Sequence, residues 1–107
     1  MKKFDVYYVE LTGKGSEQTG LRPCVIIQNN IGNSFAPTTI VVPITTKLKK
    51  SLPTHLHIEE TFASGNIMFE QITVIDKSRL VNYLGELNDK YHKQVNEKIK
   101  ISLGLEE

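Results

Sequence analysis

A small, mainly β domain, an antiparallel barrel with one helix packed against it, is the fold class this sequence predicts. Three observations carry that expectation. Short stretches rich in β-branched and aromatic residues recur from residue 5 to residue 87, separated by glycine, proline and asparagine. Only the segment after residue 87 carries apolar residues at helical spacing. The chain has 107 residues, enough for one domain, 1–107, and no repeat, low-complexity tract or linker divides it.

Residues 5–11 (Asp-Val-Tyr-Tyr-Val-Glu-Leu) have the composition of a strand. Residues 12–22 read as a long polar loop punctuated by Gly13, Gly15 and Gly20, and long loops in compact domains are often functional. Residues 23–28 are almost continuously apolar, the pattern of a strand buried on both faces. Residues 29–37 hold Asn29, Asn30, Gly32, Asn33 and Pro37 and read as a turn. Residues 38–44 read as the next strand, with Pro43 fitting an edge or a bulge because it has no N–H to donate. Residues 54–59 and 67–72 alternate and read as strands, with a turn between them at Ser64-Gly65-Asn66. Asp76 is placed to cap a short helical turn reaching Leu80, and residues 81–87 make a last strand with Gly85 as a bulge or close approach. Leu87, Tyr91, Val95 and Ile99 then recur every four residues. Asn88 suits the N-cap of this helix, Asp89 its positive end and Gly104 its stop.

Composition narrows the function. A hydrophobic fraction of 39% in alternating patterns argues for a folded chain. No apolar run approaches the ~20 residues that cross a bilayer, and Met1-Lys2-Lys3-Phe4-Asp5 is not followed by a signal-peptide core. The one cysteine, Cys24, lies in an apolar strand and reads as a buried small residue. A cytoplasmic protein with no membrane attachment is expected. A net charge of +1 does not advertise nucleic-acid binding, but the placement of cations matters more than their sum. The densest cluster, Lys47, Lys49 and Lys50, directly follows Ile44-Thr45-Thr46.

Several motifs fall away. Gly13-Lys14-Gly15-Ser16 lacks the spacing of a phosphate-cradling P-loop. His55 and His57 share one strand face without a third ligand, so they read as a surface pair and no metal site or cofactor is expected. Arg22 is different. It ends the polar loop at the mouth of an apolar strand, and Pro23 restricts its backbone to extended conformations. A permanently charged planar fork held there suits a phosphate.

The segment Gly15-Ser16-Glu17-Gln18-x-Gly20-x-Arg22-Pro23, running into a Val/Ile-rich strand, resembles the signature of the MazF/PemK/Kid toxins, endoribonucleases of bacterial toxin–antitoxin pairs. The resemblance continues in order through residues 28–38, Ile44-Thr45, Leu52-Pro53-Thr54-His55, Phe69-Glu70-Gln71-Ile72, residues 75–80 and residues 101–105. It follows the Gram-positive branch. It implies an SH3-like barrel of the CcdB/PemK type with a C-terminal helix. It also implies a sequence-specific, metal-independent cut in single-stranded RNA by attack of a 2′-OH, leaving a 2′,3′-cyclic phosphate and a 5′-OH. The implied partners are a second copy of the chain, with RNA along the subunit groove, and a MazE-like antitoxin that blocks it.

Arg22 and Thr45 match the arginine and threonine that this family uses catalytically. Arginine is effectively never deprotonated, so another group must accept a proton, and Glu70 is the candidate. Ser16, Glu17, Gln18, Thr46, Lys47, Lys49 and Gln71 are the expected RNA contacts, with Glu17 also placed to pair with Arg22 and orient it. Phe4 stands where the family usually has glycine, and Thr73 where Gram-positive relatives commonly have arginine. Two rival readings remain: a CcdB-like toxin that binds gyrase without cutting RNA, and a degenerate member that binds RNA or antitoxin only.

Overall fold

Strand β3 (Thr38–Thr45) organises the protein in the computed structural model, which describes residues 1–47 and 51–105. Every residue of β3 except Pro43 is β-branched, and such side chains pack well on a pleated surface. One edge of β3 pairs with β2 (Thr19–Ile26) through Val41, Val42 and Pro43. The other edge serves two partners in turn: β6 (Thr73–Asp76) along residues 38–41, and β5 (Ser64–Met68) at Ile44 and Thr45. β1 (Asp5–Thr12) pairs with β2 from Val6↔Val25 to Thr12↔Thr19, and β7 (Leu80–Glu86) lies outside β1 with two register shifts. β4 (His55–Glu59) pairs with β5, so the order is β4-β5-β3-β2-β1-β7, all antiparallel, with β6 on β3.

β6 and β7 lie at opposite ends of the β6-β3-β2-β1-β7 ladder, yet only the 3-10 turn Lys77–Arg79 separates them in the chain. The sheet therefore has to curl until its ends approach, which gives the expected barrel. Val9, Leu11, Cys24, Ile26, Val41 and Ile75 fill one buried cluster. Val6, Val25, Val42 and Ile44 belong to a second, packed with Ile58, Ile67 and Phe69 from the β4-β5 side and with Val95 of helix α2 (His92–Leu103). Alternate residues of one strand thus enter different cores, which is the reason residues 23–28 read as one apolar run.

Several elements differ from expectation. Thr19–Arg22 is not loop but the start of β2, so the loop shortens to residues 13–18 at the tip of a hairpin. The stretch read as a turn at residues 29–37 contains helix α1 (Asn30–Phe35). Its asparagines act as anchors: the Asn29 side chain accepts the Gly32 N–H at 2.8 Å, and the buried Asn33 bonds Gln28 and Thr39. Ser64-Gly65-Asn66 opens β5, because Gly65, at φ 140°, lets the strand approach β3 so closely that a Cβ would meet the Thr45 carbonyl oxygen at 2.4 Å. β5 stops at Met68, and Phe69–Gln71 is a 3-10 turn, so Glu70 is not on a strand.

The C-terminal element follows its signals closely. Asn88 caps a 3-10 turn (Asp89–Tyr91) through the Lys90 N–H, α2 follows, and Gly104 ends it in the left-handed region at φ 69°. Asp76 caps its turn through the Ser78 N–H as expected. Phe4, in the place of the family's glycine, adopts φ 77°, and its ring stacks on His92 at 3.6 Å. Among the described residues no helix is long and apolar enough to cross a membrane.

Candidate active site

The β2-β3 register relates Arg22 to Thr45. The β2-β3 ladder pairs Ile26↔Val41, Val25↔Val42 and Cys24↔Pro43. The pairing ends there; the same register continued two residues further would set Arg22 across from Thr45, on the strand face of Cys24 and Pro43. Two residues 23 positions apart in sequence thus lie beyond the same end of the β2-β3 ladder. Thr45 is 7% exposed, and its hydroxyl oxygen accepts the Lys47 N–H at 3.1 Å, a bond that fixes the oxygen without using the hydroxyl proton. Arg22 is half-buried and donates through Nε to the Thr19 carbonyl at 3.2 Å. It makes no ion pair among the described residues, so its charge is not neutralised by a neighbour. The expected Glu17–Arg22 pair is absent, because the Glu17 carboxylate closes its own loop on the Lys14 N–H at 2.9 Å.

Glu70 and Gln71 project from the turn after β5. Glu70 Oε1 accepts the Thr54 hydroxyl at 3.1 Å, and Oε2 lies 2.8 Å from His55 Nε2. His55 Nδ1 accepts the Leu52 N–H at 3.1 Å, so the ring carries its proton on Nε2 and donates it to Glu70. The His55 side chain is only 3% exposed. The expectation of two surface histidines therefore holds for His57, which is exposed, and fails for His55. Alternation could not reveal this, since Glu70 lies 15 residues away and only folding brings it over the ring.

Gln71 clamps the hairpin tip. Its Oε1 accepts the Gln18 N–H at 2.8 Å and its Nε2 donates to the Ser16 carbonyl at 3.1 Å. Ser16 and Glu17 are exposed, as are Thr46 and Lys47 just beyond β3. Lys49 lies outside the described residues.

Between the hairpin tip, this turn and β6 lies a cavity of about 270 Å³. The buried Leu11, Pro43 and Ile75 are among its lining residues, and most of its accessible lining is polar. Gln18, Glu70, Gln71 and Thr73 rim it together with Arg79, a residue sequence reasoning did not assign to the site. Arg22 and Thr45 do not line it, so the site has two adjoining parts. Burial pushes the Cys24 thiol up to about 12, and it donates weakly to the Arg22 carbonyl at 3.6 Å, so Cys24 is no nucleophile.

These features define a class: a small β barrel with a phosphate-suited arginine at its rim and no buried nucleophile. Residues 2–103 match the family described as PemK-like, MazF-like toxin of type II toxin–antitoxin systems. The chain is 47% identical to an endoribonuclease MazF of Staphylococcus saprophyticus, across 98% of this chain and 92% of that protein. It is 44% identical to the endoribonuclease EndoA of Bacillus subtilis, across 98% and 96%. Among solved structures, a mycobacterial endoribonuclease in complex with its cognate antitoxin superposes with a TM-score of 0.85 at 25% identity, covering 100% of this chain and 98% of that one. MazF of Deinococcus radiodurans shares the fold with a TM-score of 0.85 at 21% identity, over 97% and 96% of the two chains. This chain belongs to the PemK-like, MazF-like toxin family, and within it to the group of MazF and EndoA endoribonucleases.

Proposed function

We propose that this protein is a sequence-specific endoribonuclease that cuts single-stranded RNA by transesterification without a metal cofactor. The observation that carries the reading is that Arg22 and Thr45 both lie just beyond the Cys24↔Pro43 end of the β2-β3 ladder, with β3 packed against the turn that bears Glu70. In this mechanism the 2′-oxygen attacks the adjacent phosphorus, the P–O5′ bond breaks, and a 2′,3′-cyclic phosphate forms. The guanidinium of Arg22 stabilises the extra negative charge on the phosphoryl oxygens, and the Thr45 hydroxyl donates a second hydrogen bond to them. Glu70, held by Thr54 and His55, accepts the 2′-OH proton through a remaining lone pair, while the leaving 5′-oxygen takes a proton from water. His55 is too buried to touch RNA and acts as a positioning residue for Glu70.

RNA runs past the hairpin tip, where Ser16, Glu17 and Gln18 meet it, and past Thr46 and Lys47. Gln71 acts mainly by holding that tip. The protein works as a homodimer. An apolar groove of about 780 Å³, lined by Ile31, Ile40, Ile72, Ile99, Leu103 and Leu105, supports self-association, since monomers seldom leave such a patch uncovered. A MazE-like antitoxin neutralises the protein by covering the RNA path, in keeping with the antitoxin complex solved for the mycobacterial relative.

The test is incubation of the purified protein with a long single-stranded RNA in excess EDTA, with cut sites mapped by primer extension. Discrete cuts carrying a cyclic phosphate and vanishing in Arg22→Ala are expected. Intact RNA with wild-type protein overturns the reading and turns attention to gyrase binding.

A further inference from the structure

We propose that the cavity rimmed by Gln18 and Arg79 receives one unpaired nucleobase of the RNA and reads its edge; this rests on the endoribonuclease reading above. Four observations converge on a base. Gln18 Oε1 is buried and has no hydrogen-bond partner in the protein, although the same residue's backbone N–H is fixed by Gln71. A buried acceptor left unpaired is costly, and a ligand N–H would satisfy it.

Arg79 offers the complementary group. Its Nε donates to the Glu10 carbonyl at 2.8 Å, and Nη2 reaches the same carbonyl and the Thr12 hydroxyl. Nη1 has no partner among the described residues, and no carboxylate forms an ion pair with the group. The guanidinium is thus anchored by neutral oxygens with one nitrogen left to donate.

Size and polarity set the rest. About 270 Å³ falls just short of the roughly 300 Å³ where pockets begin to hold drug-sized ligands, which suits one planar heterocycle rather than a whole nucleotide. The lining that remains accessible is mostly polar, as recognition of a heterocycle's edge requires.

Charge argues against a phosphate in the same place. Glu17 and Glu70 line the cavity against the single cation Arg79, leaving one excess negative charge. A neutral base escapes that repulsion. It can also present a donor to Gln18 and an acceptor to Arg79 from one edge. That edge is free only when the base is unpaired, so the cavity selects single strands as well as sequence. The adjoining Arg22–Thr45 pair would hold a nearby phosphate while the cavity fixes register along the strand.

The experiment uses oligoribonucleotides spanning the mapped cut site, with a 2′-deoxy sugar at the scissile nucleotide so that they bind without reacting. Each carries one abasic position, and binding is followed by fluorescence anisotropy. One position should weaken binding to the wild-type protein by about tenfold or more while its neighbours do not. In Gln18→Leu, which keeps bulk and removes the polar edge, preference among the four bases at that position should collapse. Arg79→Lys should reduce it as a second, independent variant. An abasic penalty spread evenly over all positions, or unchanged base preference in both variants, overturns the proposal. Wild-type protein that cuts RNA but shows no abasic-sensitive position defeats the base pocket alone. Protein that cuts no RNA defeats the endoribonuclease reading and this inference with it.

Discussion

Arg22 and Thr45 ride on long ladder strands with one side-chain hydrogen bond each, whereas Glu70 and Gln71 ride on a three-residue turn with two each. The difference reflects what the backbone supplies. A strand fixes direction and register by its ladder, so a side chain on it needs little further support. A lone 3-10 turn supplies neither, and its residues borrow order from segments far away in sequence. Thr54 and His55 come from β4 and the residue before it, and Ser16 and Gln18 from the hairpin tip. The strand-borne half should therefore respond to substitution in activity alone. The turn-borne half should respond in activity, stability and motion together.

The largest expected effect breaks the strand-borne half. Arg22→Ala should lower the cleavage rate by about 10²–10³-fold, the usual cost of losing one charge-stabilising donor. Its unfolding free energy should stay within about 0.5 kcal/mol of wild type, because Arg22 is half-buried and loses one bond to its own strand. A rate loss accompanied by unfolding would erase the contrast between the halves.

His55→Ala tests the other half. It removes the donor to Glu70 and leaves the Leu52 N–H without its acceptor. A stability loss of about 1–3 kcal/mol is expected, which for a domain this size lowers the thermal midpoint by several degrees. Cleavage should fall as well, because Glu70 would keep only the bond from Thr54. His55→Asn, which can still donate, should recover part of the rate if positioning is the role. An unchanged midpoint in His55→Ala would mean that the turn does not depend on β4.

The same contrast explains what the sequence made legible. Arg22 could be found because its setting is local: a polar loop, a proline that extends the backbone and an apolar run within ten residues. Thr45 was named by resemblance, because a threonine at a strand end is ordinary and nothing local marks it. Glu70 was picked out from an alternating run that in fact breaks at Met68, so its scaffold is a turn and not the strand that the alternation implied. His55 was dismissed because alternation says which face a residue takes, not what folds over that face. Arg79 escaped notice for a related reason: its anchor, the Glu10 carbonyl, lies 69 residues away. Asn29 and Asn33 were read as turn residues, but the side-chain-to-backbone bonding that makes a turn caps a helix as readily.

A smaller effect should follow release of the hairpin tip. Gln71→Ala removes both bonds that tie Ser16 and Gln18 to the turn, and these are partly exposed, so about 1 kcal/mol of stability is at stake. The sharper readout is hydrogen exchange. Exchange at the Gln18 amide, the donor in one of those bonds, should accelerate markedly, while the β2 core amides of Val25 and Ile26 keep their protection. Equal acceleration in both places would mean the whole hairpin, not its tip, depends on the clamp.

Asp76 offers the smallest and most local test, since it caps the turn that carries Arg79 to the cavity rim. Hydrogen bonds from Ser78, through its hydroxyl and then its backbone N–H, hold the Asp76 carboxyl below the usual carboxylate range, and the nearby Arg79 charge adds to this. A carboxyl depressed in the folded state contributes stability that is present above its unfolded pKa of about 3.9 and is lost as pH falls through the lower, folded value. The wild-type protein should therefore exceed Asp76→Asn in stability by a constant amount from neutral pH down to about pH 5, and the gap should narrow below that. The gap is small, because the group is fully exposed and asparagine can still accept the Ser78 N–H. If it widened on acidification, the sign of the linkage would be reversed and Asp76 would not be capping the turn as a carboxylate. If it persists unchanged to pH 2, the cap acts through shape alone, and the approach of Arg79 to the cavity owes nothing to that charge.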